Sequence, residues 1–232
     1  LPAEACDAGF ETVLVADSGA PAEARALWLD RRTIRWPGAD AGSRYRLYHA
    51  ARGGIRAVAG EHVTGADGAI ALQPDSTPLA AAVTARFPHV GQGATLVHDL
   101  DDARLRDLFT QALVLVREDA GGHVLEATAL QHPGALDDLY ASATDAPELG
   151  AHPAPSGTRF GVWAPTARTV SVCVYPGDAR PALRREPLRF DAATGIWSAT
   201  LPGDLRGRYY DYLVEVHAPG TGLVRNRVTD PY

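Results

Sequence analysis

The run Arg159-Phe160-Gly161-Val162-Trp163-Ala164-Pro165-Thr166-Ala167 decides the fold, because it opens a stretch to Tyr232 in which every segment reads as strand or turn. Val170, Val172 and Val174 alternate with Thr169, Ser171, Cys173 and Tyr175, giving one uniformly apolar face and one mixed face. Pro176-Gly177-Asp178 turns the chain. Leu188 and Phe190 lead into the turn Asp191–Gly195, followed by the strand Ile196-Trp197-Ser198-Ala199-Thr200-Leu201.

After Pro202-Gly203-Asp204, Gly207 opens a strand in which Tyr210, Tyr212, Val214 and Val216 share a face. Short strands at regular spacing with turn signals between them predict an immunoglobulin-like β-sandwich over residues 151–232.

Working outward, Thr144 to Gly157 holds three prolines and two glycines without periodicity, and so reads as a linker. Upstream, residues 1–150 read as a mixed, β-rich domain. Phe10–Val15, Ala26–Leu29, Thr33–Trp36, Tyr45–His49 and Ile70–Leu72 are strands, and Leu79–Ala85 is a helical turn. Residues 57–98 are otherwise weakly patterned. Leu105, Leu108, Phe109 and Ala112 fall at i, i+3, i+4 and i+7, one apolar helical stripe. Asp99, Asp101 and Asp102 stand at its start, where carboxylates cap free N–H groups. Leu113–Val116, Gly121-Gly122 and Val124–Thr128 form a hairpin, and Leu136, Leu139 and Tyr140 mark a short helix. The fold class is mainly β: a mixed domain with one or two short helices, then a sandwich.

Composition bounds the function. The 232 residues are 46% hydrophobic and 22% charged, the balance of a folded protein. A net charge of −6 argues against nucleic acid, which needs a concentrated positive face. All 22 basic residues are arginine, a compositional bias. No apolar run approaches the ~20 residues of a membrane span. The eight histidines show no ligand spacing, so neither metal nor cofactor is expected. Gly91-Gln92-Gly93 lacks the third glycine and the helix of a dinucleotide loop. Cys6 and Cys173 are too few for a disulfide framework; Cys173 reads as a small buried hydrophobe, with a Cys6–Cys173 bridge the less favoured alternative across two domains. A chain without Met beginning Leu1-Pro2 suggests a processed or excised segment.

No reaction centre is expected. Glycoside hydrolysis needs two carboxylates across a cleft. The available pairs, Asp137-Asp138, Asp101-Asp102 and Asp211/Glu215, read as caps and solvated charges. Sugar rings stack on exposed aromatic faces. Trp197 shares its strand face with Ala199 and Leu201 and reads as core, which leaves Trp28, Trp36 and Tyr45 as the candidate sugar platforms, although strand aromatics are more often core.

Four pieces together, Phe160–Ala167, Gly195-Ile196-Trp197, Gly207-Arg208-Tyr209-Tyr210-Asp211-Tyr212 and Val228-Thr229-Asp230-Pro231-Tyr232, resemble carbohydrate-binding family 48, the amino-terminal module of starch- and glycogen-debranching enzymes. The first domain resembles the β-rich domain that precedes this module in bacterial pullulanase-type α-1,6-glucosidases. Its matching runs are Ala26–Asp30, Tyr45–Tyr48, Arg86–His89 and Leu136–Tyr140.

The resemblance implies a non-catalytic front end with no catalytic residue of its own. Asp230, Pro231 and Tyr232 would form the junction to a glycoside hydrolase family 13 barrel, and the partner would be α-glucan polysaccharide reached through the parent enzyme, outside the cytoplasm or within it. Starch-binding members carry tryptophans in places that here read Pro176–Arg180 and Pro219–Gly222, without an aromatic. The rivals are an isoamylase- or branching-type parent and a free-standing sugar-binding or structural sandwich.

Overall fold

The computed structural model describes residues 3–17, 19–40, 42–146, 149–177 and 181–232. Asp178, Ala179 and Arg180 of the loop after the valine strand lie outside them, as do Leu1, Pro2, Ser18 and two residues of the expected linker, Pro147 and Glu148. The chain forms two compact units. One takes Val15–Leu139 with His217–Leu223; the other takes Leu1–Leu14, Tyr140–Val216 and Val224–Tyr232.

β1 (Glu11–Ala16) is an edge strand of a five-stranded sheet. The next eight strands form the sheet of the first unit: β2 (Ala26–Trp28), β3 (Thr33–Pro37), β4 (Arg44–Ala50), β5 (Gly68–Pro74), β6 (Gly93–Val97), β7 (Ala112–Glu118), β8 (Val124–Thr128) and β9 (Leu130–Gln131). Their order is β8-β7-β4-β5-β6-β3-β2-β9, antiparallel except for the β2–β9 pair. β7 is buried on both faces. Val114 and Val116 join Ala50, Ile55 and Val124 on one side, while Leu115 pairs with Leu47 on the other, both fully buried.

The helix stripe folds as read. α1 is Ala81–Arg86, and α2 (Asp102–Phe109) buries Leu105, Leu108 and Phe109. Asp101 caps α2, its Oδ1 accepting the Arg104 N–H at 2.8 Å. Ala112, the expected fourth member, is instead the first residue of β7, because the chain turns at Thr110-Gln111. α3 spans Pro133–Leu139. The weak patterning of residues 57–98 concealed β6. Ala94, Thr95 and Leu96 are all buried between β5 and β3, and a strand covered on both faces has no polar alternation to show.

The second unit holds two sheets. β10 (Gly150–Ala154), β11 (Gly157–Trp163), β14 (Arg189–Asp191) and β15 (Ile196–Pro202) form one, in the order β10-β11-β15-β14. The other, β1-β17-β16-β12-β13, uses β12 (Thr169–Tyr175), β13 (Arg184–Pro187), β16 (Tyr209–Ala218) and β17 (Gly222–Val228). Phe160, Val162, Val170, Val172, Val174, Leu201 and Tyr212 pack between them, the sandwich core expected from the alternation.

Two readings are corrected here. The expected linker contains a 3-10 turn, Ala141–Asp145, and then β10, paired with β11 from Gly150↔Gly161 to Ala154↔Gly157. β10 is an edge strand and so accommodates Pro153. The expected domain boundary near residue 150 falls at its first residue.

The second, mixed face of β12 is buried as well. Cys6 and Cys173 form a disulfide with Cα atoms 5.8 Å apart, and Tyr175 donates its hydroxyl to Cys6 O at 2.9 Å. The segment Ala3–Cys6 thereby covers Cys173, Tyr175 and Leu213. The bridge looked unfavourable only while Cys6 was assigned to the first domain; its segment packs with the sandwich.

Candidate functional site

The three sugar-platform candidates do not face solvent. Trp28 and Trp36 are 0% exposed and Tyr45 is 1% exposed, so no ring face is open to a sugar. Trp28 lies among His98, Phe109 and His132 at centroid distances of 5.2, 5.0 and 5.9 Å, and Trp36 meets Tyr45 edge-on at 6.0 Å. These aromatics build the core of the first unit. Each sits on the inward face of its strand, the commoner fate of strand aromatics.

The sandwich tryptophans are half-buried, with their polar edges satisfied. Trp163 Nε1–H donates to Thr194 O (3.0 Å) and Trp197 Nε1–H to Ala164 O (2.9 Å). Gly195 makes this possible. Its φ is +72°, and a Cβ there would lie 2.9 Å from Pro165, 3.0 Å from Tyr140 and 3.2 Å from Trp163 Nε1. The glycine before Ile196-Trp197 is thus a packing requirement of the turn.

None of the carboxylate pairs flagged in the sequence stands free across a cleft. Asp137 and Asp138 clasp Arg86 at 2.5 and 2.8 Å, and Asp102 holds Arg31 at 2.9 Å while Asp101 caps α2. Glu215 pairs with Arg225 at 2.6 Å and Asp211 with Arg227 at 3.5 Å. Each of these acids is paired with an arginine or caps a helix end.

A concave feature of the sandwich lies beside β16. Pro153, Phe160, Val174, Leu205 and Tyr210 line an apolar cavity of ≈ 270 Å³, with Arg206, Arg208 and Tyr209 also in its lining. Thr158 pins the β15–β16 loop below it, donating to Gly203 O (3.2 Å) and accepting the Leu205 N–H (3.1 Å). Arg208 donates to Pro176 O at 2.8 Å, and Tyr209 is 61% exposed. An open aromatic ring beside an apolar hollow and guanidinium donors can stack a sugar ring and bind its hydroxyls. The sequence carried no signal for this cavity, because its wall comes from four separate strands.

The same strand fixes the chain's last residues. Phe160, Tyr210 and Tyr212 form a run of edge-to-face contacts at 5.0 and 5.7 Å. Tyr210 donates its hydroxyl to Asp230 Oδ2, while Asp230 Oδ1 accepts the Tyr232 N–H at 3.0 Å. Burial first, then the Asp230 carboxylate, hold the Tyr210 phenol well above its ordinary pKa, so it stays a donor. Asp230 is half-buried by this clasp, while Pro231 and Tyr232 are exposed.

Comparison with known proteins accords with both units. Residues 23–138, half of the chain, match the pullulanase N2 domain, and residues 148–232 match carbohydrate-binding module 48, the isoamylase N-terminal domain. The chain is 35% identical to a pullulanase of Klebsiella pneumoniae over 90% of its own length and 19% of the relative's. It is 36% identical to the chloroplastic pullulanase 1 of Arabidopsis thaliana, covering 90% of this chain and 21% of that one.

Apo pullulanase from Klebsiella pneumoniae superposes with a TM-score of 0.79 at 33% identity, over 92% of this chain and 22% of that chain. The maltotriose complex of the Klebsiella pneumoniae enzyme gives 0.78, covering 92% and 20%. The chain spans about a fifth of the length of these relatives. It belongs to the pullulanase N2 domain family, carries a carbohydrate-binding module 48 behind that domain, and is homologous to the N-terminal, non-catalytic region of pullulanases.

Proposed function

We propose that this chain is the non-catalytic front of a debranching glycoside hydrolase that cleaves α-1,6-glucosidic linkages in pullulan, starch or glycogen dextrins. The observation that carries the reading is the succession of an N2 domain and a module 48, in that order, shared with pullulanases about five times as long. Two modules divided near residue 150, the second also carrying the Cys6 segment, support a catalytic barrel, with Asp230, Pro231 and Tyr232 as the junction. The Tyr210–Asp230 clasp supports that role, since it fixes the direction in which the backbone leaves β17.

Polysaccharide contact by this region, where it occurs, is assigned to the Tyr209 end of the sandwich, where an aromatic ring is open. The compartment we propose is an oxidising one, outside the cytoplasm, in keeping with the Cys6–Cys173 disulfide. The test is hydrolysis of pullulan by the 232-residue chain and by its complete parent reading frame. New reducing ends from the parent alone are expected. Release of reducing ends by the 232-residue chain, or none from the parent, would overturn the proposal.

A further inference from the structure

The β7–β8 turn, Asp119-Ala120-Gly121-Gly122-His123, lies beside a loop carrying Gly60-Glu61-His62. Val124 N–H donates to Glu61 O and Gly60 N–H to Val124 O, both at 2.8 Å, so the two segments are tied together at Val124. Across that pair the imidazoles of His62 and His123 stack, with centroids 4.4 Å apart and planes at 30°.

Each ring has its Nδ1 against an oxygen. His62 Nδ1 is 3.0 Å from Gly122 O, and His123 Nδ1 is 3.1 Å from Asp119 Oδ2. A carbonyl and an ionised carboxylate can only accept, so both neutral rings carry their hydrogen on Nδ1 and a lone pair on Nε2. The turn is shaped around the rings. A Cβ on Gly121 would lie 2.9 Å from His123 Nδ1, and Gly122 has a φ of +84° with its Cβ position 3.7 Å from His62. The His123 side chain is 45% exposed and His62 is exposed.

We propose that His62 and His123 form a two-imidazole site for a late first-row divalent transition metal, ligated through both Nε2 atoms and completed by water. Imidazoles buttressed at Nδ1 by a carbonyl or a carboxylate are the usual form of metal-ligating histidine, the buttress fixing the tautomer and the ring's aim. Imidazole donors suit Cu²⁺, Ni²⁺ and Zn²⁺, with Cu²⁺ bound tightest, and do not suit Ca²⁺ or Mg²⁺.

Among the described residues no group of three or more His, Cys, Asp or Glu forms a metal site, so this one is exchangeable and water fills the remaining positions. At metal–nitrogen distances of about 2.0–2.1 Å, two ligands on one ion lie about 3 Å apart, so binding draws the two Nε2 edges together. The exposed His62 ring makes that movement by pivoting on its Nδ1–H bond to Gly122 O, which it keeps.

The test is titration of the untagged chain with CuCl₂ by calorimetry, with the Cu²⁺ electron paramagnetic resonance spectrum recorded at one equivalent. One ion per chain and coupling to two nitrogens are expected. His62→Ala and His123→Ala should each weaken the site by at least about tenfold, and Asp119→Asn, which weakens the buttress and the turn's bond from the His123 N–H, by about tenfold or more. His89→Ala, an exposed histidine elsewhere on the same unit, should leave it unchanged. A second measurement needs no variant: Zn²⁺ should shift the Nε2 resonances of His62 and His123 together. Undiminished binding by the double variant, single-nitrogen coupling, or no uptake of Cu²⁺ by the native chain would each overturn the proposal.

Discussion

Trp28 meets His98 edge-to-face, centroids 5.2 Å apart and planes at 80°, and neither the indole Nε1 nor the imidazole Nε2 has a hydrogen-bond partner among the described residues. His132, packed against the same indole, is also unpartnered at Nε2. Burial pushes both histidines down to about 4 from an ordinary 6.5; at His98 the nearby Arg32 adds to it, against Asp30 and Asp99.

Acid destabilisation follows from the sign of that shift. Between pH 6.5 and about 4 the unfolded chain binds more protons than the folded one, so stability rises with pH across the window. The contribution is fully present above 6.5 and is lost as pH falls towards 4, of order a few kcal/mol per histidine. Urea unfolding followed by tryptophan fluorescence at pH 7.5 and 5.0 measures it. The native chain should lose more stability between those values than His132→Leu does; equal losses would contradict the assignment.

The disulfide gives a second expectation. It ties residues 167 apart in sequence and anchors the segment that covers the second face of β12. Its removal from a small domain costs about 2–5 kcal/mol. Cys6→Ala/Cys173→Ala should lower the unfolding midpoint accordingly and open the first residues to limited proteolysis. An unchanged midpoint and cleavage pattern would show that the cover holds without the bond.

How far the sequence could be read depended on whether a segment has one buried face or two. The alternation of Val170, Val172 and Val174 located the sandwich core, and the Leu105, Leu108, Phe109 stripe located α2, because each element is amphipathic. β6 is buried on both faces, and β10 is a short proline-bearing edge, so neither has a period to detect. The disulfide ranks below a free cysteine in the sequence for another reason: proximity of Cys6 to Cys173 is a tertiary fact, and chain order puts them in different domains. At the candidate site, Asp230 and Tyr210 both lie in recognisable sequence motifs, but a hydrogen bond between residues 20 apart leaves no local pattern.

Trp28 supplies a third prediction, separating core from sugar platform. The ring is wholly buried, so Trp28→Ala should cost about 3–5 kcal/mol by cavity formation. Tyr209→Ala, at a 61% exposed ring, should change stability by less than about 0.5 kcal/mol. Migration through amylopectin-containing gels reads the other axis: retardation of the native chain, if carried by the sandwich end, should fall in Tyr209→Ala. Loss of retardation in a folded Trp28→Phe variant would place the contact in the first unit instead.

The clasp at the chain's end is the fourth. Tyr210 donates to one carboxylate oxygen of Asp230 while the other accepts the Tyr232 N–H, so a single side chain sets the course of the last three residues. Hydrogen bonds to a charged group contribute about 1.5–3 kcal/mol. Tyr210→Phe keeps the ring stacked on Phe160 and Tyr212 and removes only the hydroxyl, so core packing should persist while the end loosens. Amide hydrogen exchange at Tyr232 should accelerate by about tenfold or more, with β11 and β12 unaffected. Asp230→Asn keeps one acceptor oxygen, for the Tyr232 N–H, and presents an NH2 to the Tyr210 hydroxyl, which can turn to accept, so it should produce a smaller change. Equal exchange at Tyr232 in the native chain and in Tyr210→Phe would mean that the backbone after β17 is held by something other than this pair.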